Sequence, residues 1–241
     1  WSILRSAPNP VAGLALLARL GLGGAEALAE PAFAAHFILE GVDQAEAKAR
    51  LHRLRHIAAP YGGELPAAVP TFVRAMPFAP LNNVLGPKGE RWVPLHGVLP
   101  HNKAAPFHAA LQAFYASEAE QMQTHGVVAG GMFETVGSTG FLYEIALYWP
   151  DARTVYHETV LENDVLSALP TYPANQAART YVHKLKSRLV DLYQDHGAAH
   201  FQIGRAYPYA ERLNETTHRM VGELKRALDP KGLMNPGALG L

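Results

Sequence analysis

Cysteine is absent from the 241 residues, which excludes disulfides, thiolate metal sites and cysteine nucleophiles. Charge is scarce too: 17% of the residues are charged against a hydrophobic fraction of 49%. Part of the surface is therefore expected to face another polypeptide or domain, although a large αβ core alone would give similar figures. The 21 basic residues balance the 21 acidic ones with the 12 histidines neutral. No basic block interrupts that balance, so a nucleic-acid partner is not expected. The longest apolar run, 11–22, is broken by Gly13 and Arg19 and is too short for a membrane span. No basic start with a small-residue cleavage site precedes it, and the composition fits a cytoplasmic protein. The chain begins with Trp1, which suggests a fragment or a processed piece.

What is present is a succession of periodic segments. A helix is expected over 1–30, loosened by Gly21, Gly23 and Gly24, and the apolar run 33–39 reads as a buried strand. Asp43 followed by Glu46 marks the start of a helix whose apolar positions are Ala47, Leu51, Leu54 and Ile57, ended by Tyr61-Gly62-Gly63. The proline-rich stretch 64–90 reads as a loop. A strand over 92–99 follows, then a helix started by Pro106 and running to His125-Gly126. Strands over 127–133 and 142–149 are joined by a turn around Gly137, Ser138 and Gly140. A helix over 175–196 carries Ala178, Val182, Leu185, Leu189 and Leu192 on its inner side, and 199–203 reads as a short strand. Helices returning repeatedly to antiparallel strands imply an α+β fold, an antiparallel sheet with helices on one face, of the duplicated ferredoxin-like kind.

The last helix, over 209–228, has Leu213, Met220, Leu224 and Leu228 at helical spacing. It runs into Ala227-Leu228-Asp229-Pro230-Lys231-Gly232-Leu233-Met234-Asn235-Pro236-Gly237. That run resembles the carboxy-terminal signature of the FAD-linked oxidases, the family of vanillyl-alcohol oxidase, p-cresol methylhydroxylase and the D-2-hydroxy-acid dehydrogenases. The resemblance extends more loosely over most of the chain, without a glycine-rich flavin-binding half in front of it. It implies a substrate-binding cap domain over 1–208, roofing the isoalloxazine ring. It further implies a carboxy-terminal helix and tail over 209–241 that pack on an FAD-binding domain or subunit not contained in this sequence. FAD is then the implied cofactor. The implied partners are that domain, a small-molecule substrate, and a homo-oligomer or an electron-acceptor protein.

Hydride transfer to a flavin requires a proton acceptor for the substrate and donors or positive charge near the ring. The best-suited cluster is His200-Phe201-Gln202-Ile203-Gly204-Arg205-Ala206-Tyr207. On a strand, His200 and Gln202 would share one face. His200 suits a proton acceptor because imidazole titrates near neutrality, and Arg205 suits a substrate anion or reduced flavin. A capping histidine and a surface arginine are the plainer alternative. Tyr143 and Glu144 form a second candidate pair on a strand whose alternation puts them on opposite faces, Glu144 with Ala146 and Tyr148. Burial there would raise the proton affinity of the carboxylate; an exposed strand glutamate or an arginine partner is the alternative. Asn235, with Arg205 and Gln202, is the candidate for contact with the cofactor. His96, His101, Asn102 and Lys103 match no zinc spacing and read as loop polarity or a pocket rim, and no metal is expected.

The phenol-oxidising branch of that family typically carries a Tyr-Arg pair where this chain has Ala198-Ala199-His200. The hydroxy-acid branch typically has Ser-Gly-Glu-His-Gly-Ile-Gly, of which only Ile203-Gly204 stands here. Aromatic residues beside the candidate polar groups favour oxidation of a small aromatic alcohol or alkylphenol. A D-2-hydroxy-acid dehydrogenase and a non-catalytic binding module with the cap fold are the alternatives.

Overall fold

The computed structural model describes residues 33–65, 67, 70–71, 84–202 and 204–241. The helix expected over 1–30, much of the proline-rich loop and Ile203 lie outside them. The chain falls into two compact units, Trp1–Pro80 and Leu81–Leu241.

In the first unit, helix α1 spans Gln44–Ala58. The Asp43 carboxylate accepts the Glu46 amide at 2.8 Å, and the Glu46 carboxylate accepts the Val42 amide at 2.7 Å. The reciprocal cap forms as expected, except that Glu46 reaches one residue further back than Asp43. Ala47, Leu51 and Leu54 are half-buried, as are Glu46 and Ala58, whereas Ile57 is exposed. The strand expected over 33–39 does not form. These residues have no regular structure, and Phe33, Phe37 and Ile38 are exposed. A short apolar run fixes no secondary structure without a neighbour to complete its hydrogen bonds.

The second unit is a mixed α+β fold. Strand β1 is Arg91–Pro100, helix α2 is His101–Thr124, and strands β2 and β3 are Val128–Val136 and Gly140–Trp149. Two short helices follow, α3 (Val155–Val160) and α4 (Asn163–Ala168), then the long α5 (Gln176–Asp195) and α6 (Glu215–Leu228). The sheet is antiparallel in the order β1-β3-β2. Gly137 (φ 59°) turns the β2–β3 hairpin, a conformation glycine adopts without steric cost.

Helix α2 begins five residues before Pro106, which lies inside it. The 101–105 segment contains no breaker, so the helix extends back past Pro106, whose missing N–H removes one bond of the ladder, that to the Asn102 carbonyl. Asn175 caps α5 by accepting the Ala178 amide at 3.0 Å.

Helices α2 and α5 both contact the sheet and each other. Leu95 and Leu99 of β1, with Tyr143, Ile145 and Leu147 of β3, pack against Phe107 and Leu111 of α2 and Val182, Leu185, Leu189 and Tyr193 of α5. Each such side chain taken from water contributes about 1.5–3 kcal/mol. Tyr193 stacks on Phe107 at 4.6 Å and donates its hydroxyl to the Tyr143 carbonyl at 2.8 Å. Gly97 makes room for it: a Cβ there would lie 2.9 Å from Tyr193 Cδ1 and 2.9 Å from the Ala198 Cβ.

Asp151, just beyond β3, is 1% exposed. It accepts from Arg179 at 2.6 and 2.9 Å, from the Trp149 indole at 3.2 Å, and from the amides of Ala152 and Asn175 at 2.8 Å each. The end of the sheet is thereby tied to the start of α5.

Two further expectations are corrected. Of the strand expected over 199–203, the described residues 199–202 form one antiparallel bridge, Val98 with Ala199. The last helix starts at Glu215, capped by Asn214, after a separate 3-10 turn at Ala210–Arg212.

Candidate functional site

The two faces of the sheet differ in kind. Leu95 and Leu99 point to the helices, so the two-residue period of β1 sends Trp92, Pro94, His96 and Val98 to the other face. The register sets His96 beside Glu144, and Glu144 beside Met132 of β2. Most of a polar cluster therefore gathers where no helix of the sheet layer covers it.

His96 is its centre. Its ring is 3% exposed and stacks on Phe201 at 4.5 Å, yet neither ring nitrogen has a hydrogen-bond partner. The nearest carboxylate is Glu144, with Oε2 4.0 Å from Nδ1. Desolvation of the ring, with a smaller contribution from His200, lowers the His96 pKa. Burial raises that of Glu144.

His200 reaches the cluster through the backbone. Val98 and Ala199 exchange both main-chain hydrogen bonds at 2.8 Å. Two residues back along β1, where a fourth strand would make its next pair, side chains take over. The His200 Nδ1 meets the His96 carbonyl at 2.8 Å, and the His96 amide donates to the Tyr207 hydroxyl at 3.0 Å. A carbonyl only accepts, so Nδ1 carries the hydrogen and Nε2 of the neutral ring carries the lone pair. That Nε2 is buried without a partner. Desolvation is the main cause that lowers the His200 pKa, and the ring stacks on Tyr207 at 4.0 Å.

The structure thus brings His200 and Glu144 to one region around His96. Tyr143 is not brought there: it faces the helices and pairs its hydroxyl with His108 Nδ1 at 2.7 Å. Burial pushes the Tyr143 phenol up to about 12. Gln202 is exposed and, with the chain leaving the strand path after Ala199, the expected sharing of a strand face with His200 does not arise. His96, expected as loop polarity, is instead a mid-strand buried residue. The alternation of Val93, Leu95 and Leu99 already sets it on the opposite face. His101, Asn102 and Lys103 form the first turn of α2.

Arg205 and Asn235 come together elsewhere. The Arg205 guanidinium donates to the Pro236 carbonyl, and the Leu239 amide donates to the Gly204 carbonyl at 2.8 Å. Asn235 has φ 46°, a left-handed conformation that asparagine tolerates better than most residues. Asp229 accepts the amides of Leu233 and Met234 at 2.9 Å each, while Lys225 bridges Asp229 and the Met234 carbonyl at 2.6 Å each. These bonds shape a hook that holds Leu233 and Met234 exposed, in line with exposed Met220, Leu224 and Leu228 of α6.

Among the described residues, no group of three or more metal-ligating side chains occurs, and no helix is long and apolar enough to cross a membrane. Compared with models of protein families, with curated proteins and with solved structures, the chain gives no match.

Proposed function

We propose that this chain is the cap and carboxy-terminal part of an FAD-linked oxidoreductase that oxidises a small aromatic alcohol or alkylphenol. The observation that carries the reading is the His200 Nε2, a desolvated lone pair with no donor, at the β1 edge beside His96, whose ring lies near Glu144. A buried acceptor left unpaired costs about 1–3 kcal/mol, a cost that a substrate proton would offset.

Three features support the wider assignment. The order β1-α2-β2-β3-α5 followed by Ala199 on the outer edge of β1 follows one ferredoxin-like unit whose fourth strand is reduced to a bridge. The apolar residues exposed along α6 and its hook are those a docked FAD-binding domain would cover. Asn235 and Arg205 lie together at that hook, where they could hold the cofactor from one side, with Gln202 near in sequence.

When bound, FAD would supply the hydride-accepting ring. The residues of this chain do the rest. His200 takes the hydroxyl proton at Nε2, oriented by its bond to the His96 carbonyl. Phe201, stacked on His96, and Met132, beside Glu144, give the face an apolar flank.

The test is co-expression with a flavin-binding domain. A coloured complex whose flavin is bleached anaerobically by an aryl alcohol is expected, with bleaching slowed about 10²–10⁴-fold in His200→Gln. A colourless complex with the correct partner overturns the reading. A second reading, a non-catalytic module, is favoured by the way His200 and Tyr207 complete the β1 edge. On that reading His200→Gln loses stability and leaves turnover by the coloured complex unchanged.

A further inference from the structure

We propose that the exposed face of the sheet binds a neutral hydroxyl group between the imidazoles of His96 and His200, and that Glu144 keeps the His96 ring in the form that donates. This deepens the reading of that face as a substrate site and rests on it. It adds His96 as a binding residue and Glu144 as a positioning residue.

A hydroxyl offers one hydrogen and accepts through its lone pairs. His200 supplies only an acceptor, because Nδ1–H is committed to the His96 carbonyl at 2.8 Å. The second contact must then be a donor, and His96 is the neighbour with two unpaired ring nitrogens. Both imidazoles pack on one phenol, that of Tyr207, at ring separations of 4.0 and 5.7 Å.

Whether His96 donates depends on Glu144, whose carboxylate lies 4.0 Å from Nδ1. Consider the pair holding one proton more than carboxylate plus neutral imidazole. If that proton sits on Glu144, the acid faces Nδ1 across 4.0 Å, too long for a hydrogen bond, and its polarity favours the ring hydrogen on Nε2. If it sits on the ring, both nitrogens carry hydrogen. In either case Nε2 donates, so the shared proton belongs to the pair rather than to one residue. Once it is lost, the carboxylate charge favours the ring hydrogen on Nδ1, and Nε2 becomes an acceptor. Two acceptors cannot share one hydroxyl hydrogen.

The cover over His96 indicates what carries the hydroxyl. Phe201 lies on the imidazole at 4.5 Å with the planes inclined by 18°, although it is 57% exposed. Beyond the Ala199 bridge no strand ladder holds it. A flat apolar body can take its place on the ring, so the ligand class is a small alcohol with a planar apolar body.

Several titratable groups surround the pair. Tyr148 of β3 and Glu134 of β2 share the face with Glu144, and Glu90 acts on Tyr148. Tyr207 and, through the sheet, Tyr193 of α5 sense the Glu144 charge, and Arg212 acts on His200. The acidic groups here oppose loss of the shared proton. Protonation of His200 at low pH removes the acceptor, so hydroxyl binding falls on both the acid and the alkaline side.

The experiment titrates the flavin-free full chain with benzyl alcohol and with ethylbenzene, following the imidazole nitrogens of His96 and His200 by NMR. Benzyl alcohol is expected to bind roughly tenfold or more tightly than ethylbenzene, shifting both rings. Its affinity should fall as pH rises, and Glu144→Gln should lose that alkaline fall because an amide carries no titrating proton. Equal affinity for the two probes overturns the proposal without any variant being needed. So does an alkaline fall that persists in Glu144→Gln, or a trapped water on the nitrogens that benzyl alcohol does not displace. With no flavin present, a missing response counts against the imidazole pair and leaves the flavin reading to its own reconstitution test.

Discussion

The Nδ1 of His200 lies 2.8 Å from the main-chain oxygen of His96, and this contact settles which nitrogen of His200 carries hydrogen. Nitrogen NMR at neutral pH should show the Nδ1–H tautomer for His200. In His200→Ala the His96 carbonyl is left without a donor, which should destabilise the chain by about 1–3 kcal/mol in urea unfolding.

Stability should also depend on pH through the buried histidines. His96, His157 and His200 all have lowered pKa values with desolvation as the leading cause, so the unfolded chain binds their protons more readily than the folded one. Their contribution is present above the unfolded histidine value of about 6.5 and is lost as pH falls through the folded values. Urea midpoints measured from neutral to mildly acidic pH should decline, and replacing His157 with Asn should flatten part of the decline.

Gly97 is a packing requirement rather than a turn. Gly97→Ala places a methyl 2.9 Å from both Tyr193 and Ala198, and should cost about 1–3 kcal/mol because the interior has no room to yield. Thermal unfolding of the variant measures it. Gly137→Ala serves as a contrast, since its Cβ meets nothing within 4 Å and only its positive φ resists.

Much of the second unit was legible in the sequence. The strand alternation around Glu144 and the inner face of α5 follow from periods of two and 3.6 residues, which local sequence displays directly. Residues 199–203 were not legible. Their pattern suits a strand, but the chain turns away after one bridge because His200 and Tyr207 satisfy the β1 edge by side chains. The standing of His96 was missed for a related reason. Its neighbours at 101–103 are polar, and only the strand register separates it from them.

Asp151 offers the sharpest stability test. It is held far below the usual carboxylate range: its burial is outweighed by Arg179 and then by the amide of Asn175, the Trp149 indole and the amide of Ala152. Asp151→Ala leaves the Trp149 indole and the amides of Ala152 and Asn175 without their acceptor, while the partly exposed Arg179 can turn to water, and should cost about 1–3 kcal/mol. The wild-type contribution is present above the unfolded Asp pKa of about 3.9 and fades only in stronger acid.

The hook after α6 should loosen when its acceptor is removed. Lys225 first, then the amides of Met234 and Leu233, lower the Asp229 pKa to about 2. In Asp229→Ala, hydrogen exchange at the Leu233 and Met234 amides should quicken while the core of α5 stays protected. Recruitment of a flavin-binding domain should weaken in parallel.

The Asp151 carboxylate accepts the amide of Asn175 at 2.8 Å, and the Asn175 side chain returns to the Pro150 carbonyl at 3.3 Å. The excursion carrying α3 and α4 therefore leaves and rejoins the molecule at a single clasp. Closing a longer loop across fixed ends costs only about 0.6 kcal/mol per doubling of its length. The exposed start of α4 at Asn163 and Asp164, rather than the buried His157 and Leu161, is accordingly the place where the chain can be lengthened or fitted with a reporter while the sheet and its two long helices keep their register.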